Sequence, residues 1–366
     1  MAPKVHEYSP EEFLEMKDTW NNAVQRCLDN HVFLTWEWLS TWWKHFGGNR
    51  KFLLLTLSDS GRVLASAPLM STVYSLFGAR VRKIEFLGTP ASDYQTFLLT
   101  ERKTENVELL LGYAQRRVPD WHFVELTDVP ERCETSQILG SMRLAPLGFE
   151  HEVMEACPYV SLPEDFDDFQ RTLSPHFLNE IRRRERRLGE EFGVEFEVVE
   201  RSEHAEDAVR SLAILHQKRS VVKGHMGIFS DERVMGFHLD IARSFAKNGW
   251  LLVAFLKVNG RRVSGQYNFI YANKLYCYLS GFDPVYAKYG LGSIIDFRLI
   301  EHCINAGIKE YDFARGQEPY KNRWNPRLRD NLRFTKIRKG LFPRLMKWAA
   351  KNHLCFGKVA RFARVE

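Results

Sequence analysis

Apolar and polar positions along this chain change period repeatedly, and the changes mark its elements. Ser9, Pro10 and Glu12 form a capping-box start that predicts a helix running to about Cys27. Phe33–Phe46 reads as a second helix, dense in Trp36, Trp38, Trp42 and Trp43. Lys51–Leu57 and Arg62–Tyr74 read as strands across the turn Ser58-Asp59-Ser60-Gly61. Strands near 82–87 and 94–99, a helix near 103–117, a strand at 121–126 and a helix near 133–142 complete the first half.

The second half repeats this plan. Tyr159–Leu162 reads as a short strand, and Ser174-Pro175 opens a long helix as Ser9-Pro10 does. A strand at Val194–Val199 precedes helices near 203–221 and 231–247. Trp250–Val258 and Arg261–Tyr271 are strands joined by Asn259-Gly260, a type I′ hairpin signal, and Lys274–Ser280 is the next strand. Ser293–Ala306 is a helix with Ile295, Leu299 and Cys303 on one face and Gly307 closing it. Strands at Lys309–Phe313 and Arg333–Arg338 follow.

A shift of 199 residues lays Lys51–Leu57 on Trp250–Leu256 and Gly61-Arg62 on Gly260-Arg261. With the matching Ser-Pro helix starts, this predicts an α/β (α+β) chain of two similar lobes joined near 143–158. The expected divisions are 1–150, 151–340 and a basic segment, 341–366.

At 366 residues the chain suits two lobes better than one core. Its 45% hydrophobic and 27% charged content is ordinary for a globular protein. The six cysteines show no CxxC spacing and the twelve histidines no HExxH, so no metal is expected and a reducing cytoplasm is the expected home. No apolar run is long enough to span a bilayer, and the first residues read as no secretion signal. The formal charge of +6 is unevenly placed. Lys336–Glu366 holds nine Lys/Arg against one Glu, a net of +8, which leaves about −2 for the rest.

Two segments carry candidate chemistry. Lys288-Tyr289-Gly290-Leu291-Gly292-Ser293 is a Gly-rich loop opening onto a helix, where unpaired N–H groups suit phosphate oxygens, Ser293 adds a hydroxyl and Lys288 a charge. A flexible turn into an ordinary helix is the bland alternative. About twenty residues on, Asp312 ends an apolar strand, and Glu318, Tyr320 and Lys321 follow in its loop. Transfer of an acyl group from coenzyme A to an amine needs a base, oxyanion donors and a proton for the leaving thiolate. Asp312 or Glu318 is the candidate base, Tyr320 the acid, Lys321 an electrostatic anchor, and backbone N–H groups near Tyr278 the oxyanion donors. A surface turn with an internal Lys–Asp pair is the alternative reading.

Phe33-Leu34-Thr35-Trp36-Glu37-Trp38-Leu39 with Trp42-Trp43-Lys44-His45-Phe46-Gly47, Leu279-Ser280-Gly281-Phe282-Asp283-Pro284, and Tyr311–Trp324 together resemble the hallmarks of CelD/BcsL-type proteins. These are bacterial members of the GNAT (Gcn5-related N-acyltransferase) superfamily, similar in architecture to the two-lobed FemAB transferases. The resemblance spans roughly 30–340. It implies two tandem GNAT-like lobes, each a mixed, mostly antiparallel twisted sheet flanked by helices. It also implies an acyl-CoA cosubstrate, with a splayed strand pair in the second lobe taking the pantetheine arm. Its pyrophosphate would lie on Gly290, Leu291, Gly292 and Ser293. GNAT loops begin with Gln or Arg three residues before the first Gly; here Ala287 stands there and Lys288 follows. The segment from Leu215-His216-Gln217-Lys218-Arg219 to Gly227-Ile228-Phe229 resembles the family's substrate side, which makes His216 and Arg219, with Asp283 of the Leu279–Pro284 motif, substrate-binding candidates; for His216 the alternatives are a base and a residue that packs within its helix.

Arg182, Arg183, Arg184, Arg186 and Arg187 share a helix with Glu180, Glu185, Glu190 and Glu191, and read as an ion-paired face or, more sharply, as a phosphate-binding strip. Residues 341–366 interleave apolar and basic positions, as a helix resting on an anionic membrane does; a helix packed on the second lobe with its basic face in water is the other reading. Membrane contact would place the chain at the inner face of the membrane and make the acceptor a lipid or sphingoid amine; an envelope-glycan precursor is the other candidate. The rivals are a FemAB-like aminoacyl-tRNA-dependent transferase and a non-catalytic accessory protein in envelope polysaccharide synthesis. No long heptad run of the FemAB kind occurs, and nucleic acid is not the expected partner.

Overall fold

The computed structural model describes residues 4–76, 79–141, 148–222 and 224–340. The expected basic helix at 341–366 lies outside them. Among the described residues the strands run in chain order as β1 (Lys4–Tyr8), β2 (Lys51–Asp59), β3 (Arg62–Leu76), β4 (Ala79–Phe86), β5 (Leu98–Leu99), β6 (Phe123–Pro130), β7 (Glu150–Ser161), β8 (Val194–Val199), β9 (Leu251–Val258), β10 (Arg261–Tyr271), β11 (Lys274–Phe282), β12 (Glu310–Asp312) and β13 (Arg327–Ile337). The α-helices are α1 (Pro10–Leu14), α2 (Lys17–Gln25), α3 (Trp36–Phe46), α4 (Thr104–Arg117), α5 (Glu134–Ser141), α6 (Phe166–Thr172), α7 (Pro175–Glu191), α8 (Ser202–Val222), α9 (Glu232–Lys247) and α10 (Leu291–Asn305). None of these helices is long and apolar enough to cross a membrane.

The chain forms two compact units. The first takes residues up to Glu155 and again from Asp330; the second is Ala156–Arg329. In the first unit the strand order is β1-β2-β3-β4-β6-β13, antiparallel except for the parallel pair β4/β6. In the second it is β8-β9-β10-β11-β12-β7, antiparallel except for the parallel pair β11/β12. The plans are the same: four antiparallel strands, a helical crossover to one parallel strand, and a closing antiparallel strand. Each closing strand comes from an unexpected place. β7 ends the first repeat in sequence yet its last residues close the second unit, through Tyr159↔Asp312 to Ser161↔Glu310. β13 ends the second repeat yet closes the first, through Asn331↔Pro130 to Ile337↔Phe123.

Each unit has its own apolar core. Leu53, Phe86, Leu110, Val124 and Phe334 belong to the first, and Phe177, Leu252, Ile295, Leu299, Tyr311 and Trp324 to the second.

Most of the expected elements form; three of them differ and two elements are added. The first helix is interrupted after Leu14. Glu15 N–H turns back to Glu12 O (3.2 Å) and Met16 N–H to Phe13 O (3.1 Å), a tightened last turn, and α2 begins at Lys17. Of the strand expected at 94–99 only β5 pairs, because Gln95 and Phe97 give their N–H groups to Asp128 O and Thr135 Oγ1 instead of to a ladder. β7 begins nine residues before Tyr159, its first half hidden from pattern reading by exposed Glu150, His151 and Glu152. β1 and α6 are additions to the expected elements; β1 pairs with β2 from Lys4↔Ser58 to Tyr8↔Leu54.

Candidate functional site

The second unit contains a parting of strands. β12 pairs with β11 through only three residues, Glu310↔Lys274, Tyr311↔Leu275 and Asp312↔Tyr276. Beyond them Phe313 N–H bonds to Pro158 O (2.9 Å) and Gly316 N–H to Ala156 O (3.1 Å), so the chain follows β7 while β11 stays with β10. Just past that point β11 carries a bulge. Asn268 faces Cys277 and Tyr267 faces Leu279, which leaves Tyr278 as the extra residue. The Tyr278 ring is buried 5.1 Å from Phe269 and 5.6 Å from His238. Gly281, three residues on, lies against α8: a Cβ there would overlap the backbone of Leu215 and His216.

From β11 the chain enters a short 3-10 turn, Pro284–Tyr289, capped by Asp283, whose Oδ1 accepts from Val285 N–H at 3.2 Å. Asp283 also pairs with Lys218, which holds its carboxyl below the usual range against the effect of burial. Gly290 then takes the left-handed conformation (φ 65°) and serves as N-cap of α10. Leu291, Gly292 and Ser293 therefore form the first helical turn, two residues earlier than expected. The N–H groups at Leu291 and Gly292 have no carbonyl within the helix to meet, and a Cβ on Gly292 would face open space. The Arg184 guanidinium lies against Gly290, and Lys288 Nζ sits 4.8 Å from the Tyr289 ring centre. Three of the five arginines of α7 are ion-paired, Arg184 with Glu180 (2.5 Å), Arg186 with Glu190 (3.6 Å) and Arg187 with Glu191 (3.1 Å), and Arg182 donates to Gln170 Oε1 (2.6 Å).

The loop after β12 is organised around Lys321, which is only 4% exposed. Its Nζ lies within 2.9–3.4 Å of the carbonyl oxygens of Phe313, Ala314, Arg315 and Gly316, and 2.9 Å from Glu318 Oε2. Asp312 is fully buried; Oδ1 accepts from Ala314 N–H (2.8 Å) and Oδ2 from Arg329 Nη1 (3.0 Å). Glu318 is more accessible, its side chain 52% exposed. Partial burial raises its pKa, but the Lys321 charge and hydrogen bond, with help from Arg219, hold it below the usual range. The Tyr320 hydroxyl is pushed up, by burial first and then by the charges of Asp296 and Glu318.

Asp296 is a site residue that sequence reading misses. It sits on α10, about four rises of 1.5 Å beyond Gly292, and is 3% exposed. Its Oδ1 accepts from the Tyr311 hydroxyl (2.9 Å) and from the Gln266 amide. Burial pushes its pKa up to about 6, against the lowering effects of Gln266, Tyr311 and Lys321. The available signal is a lone carboxylate inside the apolar run Ile294-Ile295-Asp296-Phe297. The nearby Cys277 thiol is also pushed well up by burial.

On the α8 side, Arg219 Nη1 donates to Ser280 Oγ (2.9 Å), and its charge reaches both Glu318 and Tyr320. His216 packs its ring 5.4 Å from Phe229, with Nδ1 3.5 Å from Ser220 Oγ. Glu318, Tyr320, Lys321, Asp296 and Arg219 thus form one electrostatic neighbourhood, and Lys288 with Gly290–Ser293 leads into the helix that carries Asp296. Among the described residues no group of three or more His, Cys, Asp or Glu is placed to hold a metal ion.

Residues 175–322 match the family described as acetyltransferase (GNAT) domain. No curated protein matches the chain by sequence. Among solved structures it is similar to FemX, at 12% identity and a TM-score of 0.66, covering 94% of this chain and 99% of that one. It is also similar to a tandem GNAT protein from the clavulanic acid biosynthesis pathway, at 10% identity, TM-score 0.51, and 93% and 99% coverage. A third neighbour is L-PGS from Bacillus licheniformis, at 13% identity, TM-score 0.57, and 91% and 96% coverage. The fold is therefore a tandem, FemAB-like GNAT fold, with its GNAT-domain match in the second unit.

Proposed function

We propose that this chain is an N-acyltransferase that moves an acyl group from an acyl-coenzyme A thioester to an amine. The observation that supports this most strongly is the parting of β11 from β12 beside the Tyr278 bulge, one connection away from the open first turn of α10. Such a slot accepts an extended arm between two strands. The N–H groups of Leu291 and Gly292 and the Ser293 hydroxyl would hold its pyrophosphate, with Lys288 and Arg184 supplying positive charge in the place of the family's Gln or Arg. Backbone N–H groups at the bulge would hold the oxyanion.

Glu318 is the better base of the two candidates, since both oxygens of Asp312 are already engaged by Ala314 and Arg329. In this mechanism the neutral amine attacks the thioester carbonyl, the C–N bond forms and the C–S bond breaks. Glu318 takes the nitrogen's proton, and Tyr320, held protonated by its surroundings, supplies one to the departing thiolate. Lys321 and Asp312 position the loop that carries both. The ion pairs along α7 leave less charge for an RNA partner, which favours the thioester donor over charged tRNA.

The test is isothermal titration with acetyl-CoA, palmitoyl-CoA and free coenzyme A, repeated with Gly292→Glu. The new side chain has room and suits a helix N-terminus, so the fold should persist while the phosphates are repelled. Binding lost in the variant supports the reading; no binding of any of the three by the wild type refutes it.

A further inference from the structure

A groove of about 1030 Å³ runs along the outer face of α8. Ile214 and Val221 form one wall, Phe229 and Met235 another, and Pro284 with Val285 a third. Ile214, Val221 and Val285 are 61%, 62% and 78% exposed. Large aliphatic side chains gathered this openly in a concave surface mark a place where apolar matter binds. The wall from Arg210 to Val221 covers eleven helical rises, roughly 16 Å, about the length of an extended twelve-carbon chain.

The groove adjoins the candidate site through α8 and the end of β11. Lys218 and Asp283, which pair with each other, both line it. The next residue, Arg219, donates to Ser280 Oγ on β11 (2.9 Å) and acts on the half-exposed Glu318. Asp283 follows β11 directly and caps the turn that leads to α10.

We propose that this groove holds the aliphatic chain of the acceptor, so that the substrate is a long-chain amine whose head reaches Glu318. The proposal rests on the acyl-transfer reading for the amine but not for the chain. A chain lying along α8 leaves the slot between β11 and β12 to the donor, so the two substrates approach from different sides of β11.

The test is titration of the full chain with octylamine, decylamine, dodecylamine and dodecanol, each below its aggregation concentration. Amine affinity should rise about two- to fourfold per methylene, and dodecanol should bind more weakly than dodecylamine. Ile214→Asp and Val221→Asp, both at exposed positions, should weaken dodecylamine at least tenfold while coenzyme A binding stays as in the wild type. An absent chain-length trend, or unchanged dodecylamine binding in both variants, overturns the proposal. Equal affinity for dodecanol overturns the amine head. A loss confined to palmitoyl-CoA assigns the groove to the donor chain instead, and self-association abolished by the variants without any amine binding assigns it to a second copy. If coenzyme A fails to bind but the amine trend and its loss in both variants hold, the groove stands and the donor reading falls.

Discussion

Replacing Asp296 by Asn should change how stability depends on pH. Asp296 is buried with Tyr311 and Gln266, and its pKa is raised from 3.8 to about 6. A carboxyl whose folded pKa lies above its unfolded value binds its proton more tightly in the folded state. It therefore adds stability at low pH, and that contribution is lost as pH rises from about 4 to about 6. A shift of about two units corresponds to about 3 kcal/mol, most of it lost between pH 4 and 7. Asn has no proton to lose. The stability of Asp296→Asn relative to wild type should therefore rise by about 2–3 kcal/mol between pH 4 and pH 7, whatever constant offset the new amide introduces. Urea unfolding of both proteins at pH 4, 5, 6, 7 and 8 measures this, and the other carboxylates cancel in the difference. A difference that stays flat within about 1 kcal/mol would refute burial as the dominant influence on Asp296.

Gly281→Ala should lower stability by about 1–3 kcal/mol, because its Cβ meets the α8 backbone; Gly292→Ala, facing open space, should not, and thermal unfolding separates the two. Lys321→Met should cost about 1–3 kcal/mol and lower kcat, since it strips the loop carbonyls and Glu318 of their shared donor; full stability would show that the loop does not need it. Tyr320→Phe should lower kcat with little change in KM, and unchanged turnover would remove Tyr320 from the mechanism. Glu318 is held below the usual carboxylate range, so it should add no inflection to the kcat/KM profile above pH 5; one that disappears in Glu318→Gln would contradict its environment.

Local chemistry is the legible part of this chain. The β9–β10 hairpin is readable because Asn259 and Gly260 take positive φ (49° and 76°), the type I′ geometry their residue types favour. Ser174 caps α7 through Phe177 N–H, and Gly307 closes α10 at φ 76°, both as read. The Gly loop and the segment after β12 stand out because they carry unusual residues. What cannot be read depends on distant partners. Asp312 meets Arg329 across seventeen positions, a pairing no local pattern encodes. The bulge at Tyr278 follows from the register with β10, and Tyr278 itself looks like any strand aromatic. Gly281 lies within the segment Leu279–Pro284, and its close approach to α8 gives that glycine a packing reason.

The crossed closing strands bear on how the protein is made. A ribosome delivers the chain in order, and an N-terminal domain commonly completes first. Here the second unit has all its strands once Arg329 has emerged, because β7 was synthesised earlier. The first unit must wait for β13, and until then β6 presents a bare edge on the nascent chain. About 200 residues separate β6 from β13, a delay of roughly 10–40 s at about 5–20 residues per second. The half that is translated first is the half that finishes folding last.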